Sequence, residues 1–245
     1  FVRPHVPFVA PEKYYPPFLP YSKMKLPLKV KGDWDDIPKP GINYKTSVNM
    51  KMDVRRQKKA VGGYYASVSF MDAQVGKVLV ALKKAGLEDD TIVIFTSDHG
   101  YHLGEHEFWQ KSSLHEESAR IPLIIAAPGK RPAVSSSLAQ MIDLYPTLAE
   151  MCGLALPDHL QGRSLAAVLD DPKTRIHDFV HCAYGSPPRA SHLIRTERHA
   201  YMAWHDGTAE LYDMAGDPQQ FTNLAEAEDS EEVLATLKGH LKSHL

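Results

Sequence analysis

The stretch Thr91-Ile92-Val93-Ile94-Phe95-Thr96-Ser97-Asp98-His99-Gly100 decides the fold of this chain. Its first six residues are β-branched or aromatic and uncharged, which predicts a strand buried on both faces, as in a parallel sheet. In open α/β sheets the ligand crevice lies outside the carboxyl ends of the strands. We therefore expect Asp98 and His99 to supply an oxygen and a nitrogen donor suited to a divalent cation. A simple turn, with Asp98 as its cap and Gly100 at positive φ, explains the same residues.

The segments beside this strand alternate between helical and extended patterns. Between about 53 and 86, apolar residues recur at three- and four-residue steps, which predicts an amphipathic helix. The stripe consists of Tyr64, Val68, Met71, Val75, Leu79 and Leu82. A second buried strand is predicted at 122–127, and a helix at 140–151 that ends at Gly153. This order of helix, strand, loop, strand and helix is typical of a doubly wound α/β sheet.

The first 56 residues are rich in proline and aromatic residues and show little periodicity. Such a composition predicts an extended segment, and its aromatic residues indicate that it packs on the rest of the protein. We predict that residues 1–165 form the C-terminal part of an α/β domain. Residues 166–245 are expected to form a small subdomain with an antiparallel sheet and a helix.

The pattern changes after Pro157. Short strands are predicted at 177–183, 192–196, 200–204 and 208–212. Asp206-Gly207 is typical of a hairpin turn between the last two strands. A final helix is expected from Asp229, which has the spacing of a capping box with Glu232.

Composition excludes several classes of protein. The chain has 245 residues, 43% hydrophobic and 24% charged, which is enough to bury a globular core. Its 28 Lys and Arg nearly balance its 30 Asp and Glu, so the overall charge gives no basic field for nucleic acid. No apolar stretch reaches the roughly 18 residues of a membrane span. Two cysteines cannot form a disulfide framework.

Five segments together carry a family resemblance. They are 3–8, 64–76, 97–125, 143–148 and 210–224. The third reads Ser97-Asp98-His99-Gly100-Tyr101-His102-Leu103-Gly104-Glu105-His106, then Trp109, Lys111 and Arg120-Ile121-Pro122. In this order the segments resemble the type I sulfatases of the alkaline-phosphatase superfamily, above all the iduronate-2-sulfatase group, with choline-sulfatase-like relatives close behind. The resemblance implies an alkaline-phosphatase-like doubly wound mixed sheet, a sulfuric ester hydrolase and a Ca²⁺ cofactor.

One departure from the family pattern is an absence. Sulfatases of this type carry near their N-terminus paired metal-binding aspartates and a Cys-x-Pro-Ser-Arg-like motif whose cysteine becomes the formylglycine nucleophile. Neither Cys152 nor Cys182 stands in such a motif. We therefore expect this chain to be the C-terminal portion of a longer enzyme, inactive alone, with the N-terminal portion as its partner. The resemblance points to a periplasmic, secreted or lysosomal location, which the sequence itself leaves open.

The resemblance assigns roles to four residues. Asp98 matches a Ca²⁺ ligand, and oxygen is the donor that calcium prefers. His99 matches a position where the iduronate group has histidine, either as a ligand or as a donor to nucleophile or sulfate. Lys111 matches the lysine that binds the sulfate, where an ammonium would offset charge developing on sulfuryl oxygens. His5 matches a histidine that contacts the sulfate, and the prolines beside it restrict its backbone.

Three further residues are candidates for binding substrate. Arg3 could meet an acidic or sulfated group. Tyr101 and Trp109 could form pocket walls, although simple packing explains both aromatic residues equally well.

Other polar residues of this region are expected to be structural. His102 and His106 stand four apart, but Gly104 between them argues against the helix that would align them as metal ligands. His115 is expected to be a core or surface histidine. Glu117 and Arg120 are expected to form a structural ion pair.

The sequence thus predicts a sulfatase that removes sulfate from a sulfated carbohydrate or similar ester. A phosphatase or phosphonate hydrolase of the same superfamily is the first alternative, with a different metal set and nucleophile. A relative that keeps the fold only as a binding module is the second. No nucleic-acid partner and no membrane span are expected.

Overall fold

The computed structural model describes residues 1–245. Before the first α-helix the chain forms short 3₁₀ turns, at Glu12–Tyr14, Pro16–Phe18 and Tyr21–Lys23, and a single antiparallel bridge between Thr46 and Phe108. Its aromatic rings pack on that helix. The ring centroids are 5.4 Å apart for Phe8–Tyr64, 5.4 Å for Tyr14–Phe70 and 5.8 Å for Phe18–Tyr65. The prediction of an extended segment that packs on the protein is confirmed.

Helix α1 runs from Val54 to Lys84, close to the predicted bounds. The Asp53 carboxylate accepts a hydrogen bond from the Arg56 amide at 2.8 Å, which satisfies one of the free N–H groups of the first turn. Gly86, two residues beyond the end, adopts a φ of 67°. Both ends of the helix are therefore set by local sequence signals.

The apolar residues of α1 are buried only along its first half. Val61 and Ala66 belong to the core, whereas Val78, Leu79 and Val80 are 57%, 44% and 53% exposed. Of the predicted stripe, Leu79 is exposed and the other five residues are half-buried. No helix, α1 included, is both long enough and apolar enough to cross a bilayer.

Four strands and a short helix follow α1. They are β1 (Val93–Thr96), β2 (His102–Leu103), β3 (Trp109–Gln110), α2 (Glu116–Ala119) and β4 (Leu123–Ala126). Strand β1 pairs only with β4, in antiparallel register with Ile94 opposite Ile125. Strand β2 pairs with β3 in a second two-stranded ribbon, and Glu105–Glu107 forms a 3₁₀ turn between them.

The expectation that β1 and β4 are buried on both faces by parallel neighbours is wrong for this structure. The two strands pair antiparallel with each other, and each leaves its outer edge open. All four residues of β1 are half-buried, and Ile124 of β4 is 60% exposed. Strand existence follows from the local run of apolar residues, whereas burial depends on neighbours that the run does not specify.

Two helices follow β4. A 3₁₀ turn at Met141–Asp143 leads into α3 (Leu144–Met151), and α4 covers Ala166–Asp170. Gly153 adopts a φ of 66° after α3. The predicted helix at 140–151 and its glycine stop are confirmed.

The C-terminal region forms a four-stranded antiparallel sheet in the order β5-β6-β7-β8. Its strands are β5 (Phe179–Tyr184), β6 (Ser191–Thr196), β7 (His199–Ala203) and β8 (Ala209–Asp213). Each lies within two residues of its predicted position. Gly207 has a φ of 90° in the turn between β7 and β8, which confirms the hairpin.

This sheet is buried on both faces. On one face a cluster that includes Leu193, Met202 and Trp204 packs on Leu114 from the segment after β3. On the other face Ile194 and Leu211 pack on Leu237 of α5. The residues alternate between the two faces along each strand, as the pleat requires.

Helix α5 covers Glu231–His244. A 3₁₀ turn at Glu228–Ser230 precedes it, and Ser230 at the cap makes no side-chain hydrogen bond. The predicted capping box of Asp229 and Glu232 is therefore wrong. The 3₁₀ turn moves the start of the helix beyond Asp229, so the two carboxylates do not hold cap positions.

Four histidines meet where the end of α5 lies on the sheet. His181 Nε2 lies 3.0 Å from His192 Nδ1, and its ring centroid lies 4.4 Å from that of His244. The fourth, His240, stacks on Phe179 with centroids 4.5 Å apart. Burial, followed by the nearby His244 and His192 rings, lowers the pKa of His181 to about 4.

This cluster predicts an acid-sensitive fold. The unfolded chain takes up a proton at His181 below about pH 6.5, whereas the folded state resists it until about pH 4. Stability should therefore fall as the pH drops through that window and be unaffected above it. His181→Gln should flatten the fall in Tm between pH 7.5 and pH 4.5, and exposed His159→Gln should not. Equal slopes for the wild type and His181→Gln would contradict the prediction.

Candidate active site at the end of strand β1

Asp98 and His99 lie in the turn that follows β1. The His99 amide donates to Asp98 Oδ1 at 3.1 Å, and the Ser97 hydroxyl donates to the His99 carbonyl at 2.8 Å. These bonds fix the turn and leave Oδ2 of Asp98 without a hydrogen bond. The Asp98 side chain is 81% exposed, so its second oxygen is open to a ligand.

Hydrogen bonding sets the tautomer of His99. Its Nδ1 lies 2.7 Å from the Gly100 carbonyl oxygen, which can only accept, so Nδ1 carries the proton. In the neutral ring Nε2 then holds the lone pair. This nitrogen lies 3.6 Å from Asp98 Oδ2. Two neighbouring ligands of a calcium ion at 2.3–2.6 Å stand about 3.3 to 3.7 Å apart, so the two atoms have a chelating spacing.

Gly100 is required by close packing. A Cβ built on it would lie 2.0 Å from the Glu117 carbonyl oxygen, and its own amide donates to the Ser118 carbonyl at 2.8 Å. Gly100 does not have a positive φ, so that expectation is wrong. The glycine instead lets the Asp98 turn lie directly against α2.

Lys111 follows β3 and presents a free ammonium group near this turn. Its backbone carbonyl accepts bonds from the Ser113 amide and the Ser118 hydroxyl, whereas its Nζ forms no ion pair or hydrogen bond. Partial burial alone would raise the pKa of Asp98. The stronger opposing effect comes from the charges of His99 and Lys111 and from hydrogen bonds to local backbone N–H groups, and it holds that pKa below its usual value. The site thus joins an ionised carboxylate to an unpaired cation.

Tyr101 connects the turn to the N-terminal segment. Its ring lies 5.7 Å from that of Tyr64 on α1 and 5.6 Å from that of Phe8, centroid to centroid. Burial, with smaller contributions from Tyr64 and Tyr44, raises the pKa of Tyr101 to about 12, so its phenol stays protonated. Tyr101 is half-buried, which leaves both the packing and the pocket-wall interpretations open.

Arg3 and His5 lie in the N-terminal segment, whose Phe8 packs on Tyr101 beside this turn. Arg3 Nη1 donates to the carbonyl oxygens of His5 and Pro7, each at 3.0 Å. Its guanidinium therefore braces the loop that holds His5. His5 is exposed, and its Nδ1 lies 2.7 Å from the Val6 carbonyl, which leaves Nε2 free. Their roles toward sulfate stay predictions.

Trp109 belongs to the core. It is 2% exposed, and its indole N–H donates to the Ser47 hydroxyl at 2.8 Å. The prediction of a pocket wall is corrected to the packing interpretation, because the ring is enclosed and its one donor is already used.

Three histidines of this loop are buried behind the site. His106 Nδ1 pairs with Asp33 at 3.1 Å, and His115 Nε2 pairs with Glu210 at 3.0 Å. His102 is fully enclosed with neither ring nitrogen bonded, and burial drives its pKa well below the usual value. The expected structural role fits these positions. Sequence reasoning missed Asp33 and Glu210, which lie far away in the chain.

The expected ion pair of Glu117 and Arg120 does not form. Arg120 instead lies 3.9 Å from Glu116, four residues earlier, and Glu117 lies 3.9 Å from His102. The short helix α2 places Glu116 on the face of Arg120, because residues four apart share a face.

The turn offers a cation only part of a coordination shell. No group of three or more His, Cys, Asp or Glu side chains in residues 1–245 is placed to hold one metal ion. Calcium takes six to eight oxygen-rich ligands, whereas this turn presents one carboxylate and one imidazole. Asp98 and His99 therefore fit as two members of a larger ligand set.

Two sequence families match the chain. The family described as Sulfatase matches residues 1–154, and the C-terminal region of N-sulphoglucosamine sulphohydrolase matches residues 104–245. The chain belongs to the sulfatase family.

Individual relatives agree with this assignment. The chain is 31% identical to an arylsulfatase of Clostridium perfringens over 97% of its own length and 50% of that protein. Arylsulfatase K and choline-sulfatase are also similar, so the similarity does not single out the iduronate-2-sulfatase group. The chain spans about a third to a half of the length of these relatives.

Solved structures give the fold. A phosphonate monoester hydrolase from Silicibacter pomeroyi has a TM-score of 0.89 and 25% identity, covering 100% of this chain and 54% of that one. A structure in complex with its substrate D-glucosamine-2-N,6-O-disulfate has a TM-score of 0.73 and 28% identity, covering 77% and 41%. The predicted α/β class of the alkaline-phosphatase type is confirmed.

Proposed function

We propose that this protein hydrolyses a sulfate ester, with the turn after β1 as one wall of its active site. The observation that carries the proposal is the joint placement of Asp98, His99 and an unpaired Lys111 at the end of a sheet strand in a member of the sulfatase family. Ligand sites of α/β sheets lie at this position.

The charges in the turn suit a transferring sulfuryl group. A sulfate ester carries a negative charge, and its oxygens gain more as the bond to the leaving oxygen breaks. The Lys111 ammonium has no internal partner to neutralise it, so its full charge is available to these oxygens. His5, exposed and with Nε2 free, would add a second donor on the side of the N-terminal segment.

Asp98 and His99 would hold the calcium ion that the family resemblance implies. When bound, the ion would polarise a sulfuryl oxygen as a Lewis acid. The hydrogen bond from His99 Nδ1 to the Gly100 carbonyl oxygen would hold the ring oriented toward the ion, as hydrogen bonds to metal-binding histidines commonly do. The remaining ligands and the nucleophile are proposed to come from outside the residues described.

We further propose that a second portion of the same enzyme packs on this one. Open apolar surfaces support this part of the proposal. Both outer edges of the β1–β4 pair are unpaired, Ile124 is 60% exposed, and the second half of α1 is uncovered. Unpaired strand edges and large apolar patches are sites where further chain packs. We propose that parallel strands of the N-terminal portion complete this sheet.

The proposed substrate is a sulfated carbohydrate, with the iduronate-2-sulfatase group as the resembled subclass. The structure bound to a disulfated glucosamine supports this class. A phosphonate monoester hydrolase is the second candidate, because one such enzyme matches the entire chain with a TM-score of 0.89.

Rates on paired substrates test the proposal. The protein expressed from its complete gene should hydrolyse 4-nitrophenyl sulfate with a higher kcat/KM than the matching aryl phosphonate monoester. This chain alone should show no turnover, since neither of its cysteines lies in the nucleophile motif. A preference for the phosphonate would favour the second candidate, and turnover by neither preparation would contradict both.

Calcium binding gives a test that does not depend on activity. With two donors from the turn, the isolated chain should bind Ca²⁺ more weakly than about 1 mM, the weak end for protein sites. Calorimetry of the chain with Ca²⁺ alone measures this affinity, with Asp98→Asn as the matched variant. Tight stoichiometric binding that Asp98→Asn leaves intact would place the metal elsewhere.

A further inference from the structure

Charge is distributed very unevenly along this chain. Residues 1–59 hold 13 of the 28 Lys and Arg but only 5 of the 30 Asp and Glu, a net charge of +8. The other 186 residues hold 15 basic and 25 acidic residues, a net charge of −10. The near-neutral total therefore conceals a strongly basic N-terminal part.

Five of these cations form one surface, which we call the basic face. It consists of Lys23 and Lys25 beside the third 3₁₀ turn, and Arg55, Lys58 and Lys59 in the first turns of α1. All are exposed except Lys58, which is half-buried. The last three belong to the run Arg55-Arg56-Gln57-Lys58-Lys59, a density of basic residues typical of polyanion-binding patches.

Specific contacts hold the two parts of the basic face together. The Lys58 ammonium donates to the Ser22 carbonyl at 2.7 Å. A Cβ on Gly62 would lie 2.5 Å from the Tyr21 ring and 3.6 Å from Met24. The absence of a side chain at Gly62 thus lets the turn that carries Lys23 and Lys25 lie on α1.

No acidic side chain neutralises the basic face. None of its five residues forms an ion pair, whereas nearby Lys29 pairs with Glu107. The nearest acidic residue along the chain, Asp53, precedes the helix and is engaged as its N-terminal cap. Arg55 and Lys59 are four residues apart, a like-charge spacing that destabilises a helix.

Packing contacts connect the helix of the basic face to the candidate active site. Gly63 lies one helical turn beyond Lys59, and a Cβ there would lie 3.4 Å from Phe8. The Phe8 ring packs on Tyr101, three residues after Asp98. These packing contacts tie the start of α1, which carries part of the basic face, to the turn that holds Asp98.

We propose that the basic face binds a polyanionic stretch of a sulfated glycan chain, beyond the ester that is cleaved. This inference rests on the proposed sulfatase function and adds a polymeric substrate to it. Several unpaired cations in a row match repeated sulfate or carboxylate groups, and they would raise the local concentration of such a chain near the site.

Heparin provides the probe. Arg55→Gln/Lys59→Gln should weaken heparin binding to this chain on the order of tenfold at low salt. The slope of the logarithm of the binding constant against the logarithm of the salt concentration should also become shallower, by about one for each cation removed. The matched control is Lys83→Gln/Lys84→Gln at the other end of α1, which should leave binding unchanged. Far-UV circular dichroism and Tm should show that all variants are folded.

Three results would overturn the proposal. Heparin binding could be unaffected by the Arg55/Lys59 change, or be lowered equally by the control. Single-stranded DNA of similar charge could bind as tightly and depend on the same residues, which would assign the surface to nucleic acid. A separate assay, hydrolysis of 4-nitrophenyl sulfate by the complete gene product, tests the sulfatase function itself. If the wild-type protein shows no turnover, the sulfatase function is contradicted. If only the heparin result is negative, the sulfatase function still stands.

Discussion

Lys111→Ala is expected to lower the kcat for 4-nitrophenyl sulfate by a factor of about 10² to 10³ in the complete gene product. The Nζ of Lys111 has no internal partner, so its charge is free to meet sulfuryl oxygens in the transition state. Loss of one preorganised donor to a developing anion costs about 2.7 to 4 kcal/mol of transition-state stabilisation, which corresponds to this rate factor.

Stability separates this role from that of a surface lysine. Lys111 is exposed, so the alanine variant should keep its unfolding free energy within about 0.5 kcal/mol, as surface substitutions generally do. Lys173→Ala, another exposed lysine without an ion pair, should change neither rate nor stability. Turnover near the wild-type level in Lys111→Ala would remove this lysine from the site.

Features set by neighbouring residues could be predicted from the sequence. The helix stops at Gly86 and Gly153, the hairpin at Gly207 and the four C-terminal strands each depend on a few adjacent positions. The placement of Asp98 after a strand followed from the same kind of local signal. Such features need no knowledge of distant chain.

Features set by distant residues could not be predicted in this way. The pairing of β1, the enclosure of Trp109 and the partners of the buried histidines all depend on contacts far apart in the chain. The two parts of the basic face are likewise joined only because Gly62 lets Tyr21 lie on α1. The near-neutral total charge gives no sign of it, because acidic residues later in the chain balance these cations.

The most consequential of the missed contacts centres on Glu210 in β8. Its carboxylate, fully enclosed, accepts hydrogen bonds from His115 Nε2 at 3.0 Å, Trp204 Nε1 at 2.8 Å and the Tyr212 hydroxyl. Burial would raise the pKa of Glu210, but His115 and the hydroxyl and indole donors outweigh it and hold that pKa below its usual value. Glu210 is therefore an ionised group in the core that joins the C-terminal sheet to the loop carrying Lys111.

Glu210→Ala is accordingly expected to cost about 3 to 5 kcal/mol of unfolding free energy, because it strands three buried donors and leaves a cavity. Urea unfolding of this chain measures the loss. Glu197→Ala is the matched control, since Glu197 pairs with Arg175 entirely at the surface and solvent already screens that pair. Glu210→Gln should recover part of the loss. Its amide keeps the shape of the side chain and one oxygen acceptor, but its NH₂ group would face donors that the carboxylate accepts from. Equal costs for Glu210→Ala and Glu197→Ala would show that the buried carboxylate does not hold the loop to the sheet.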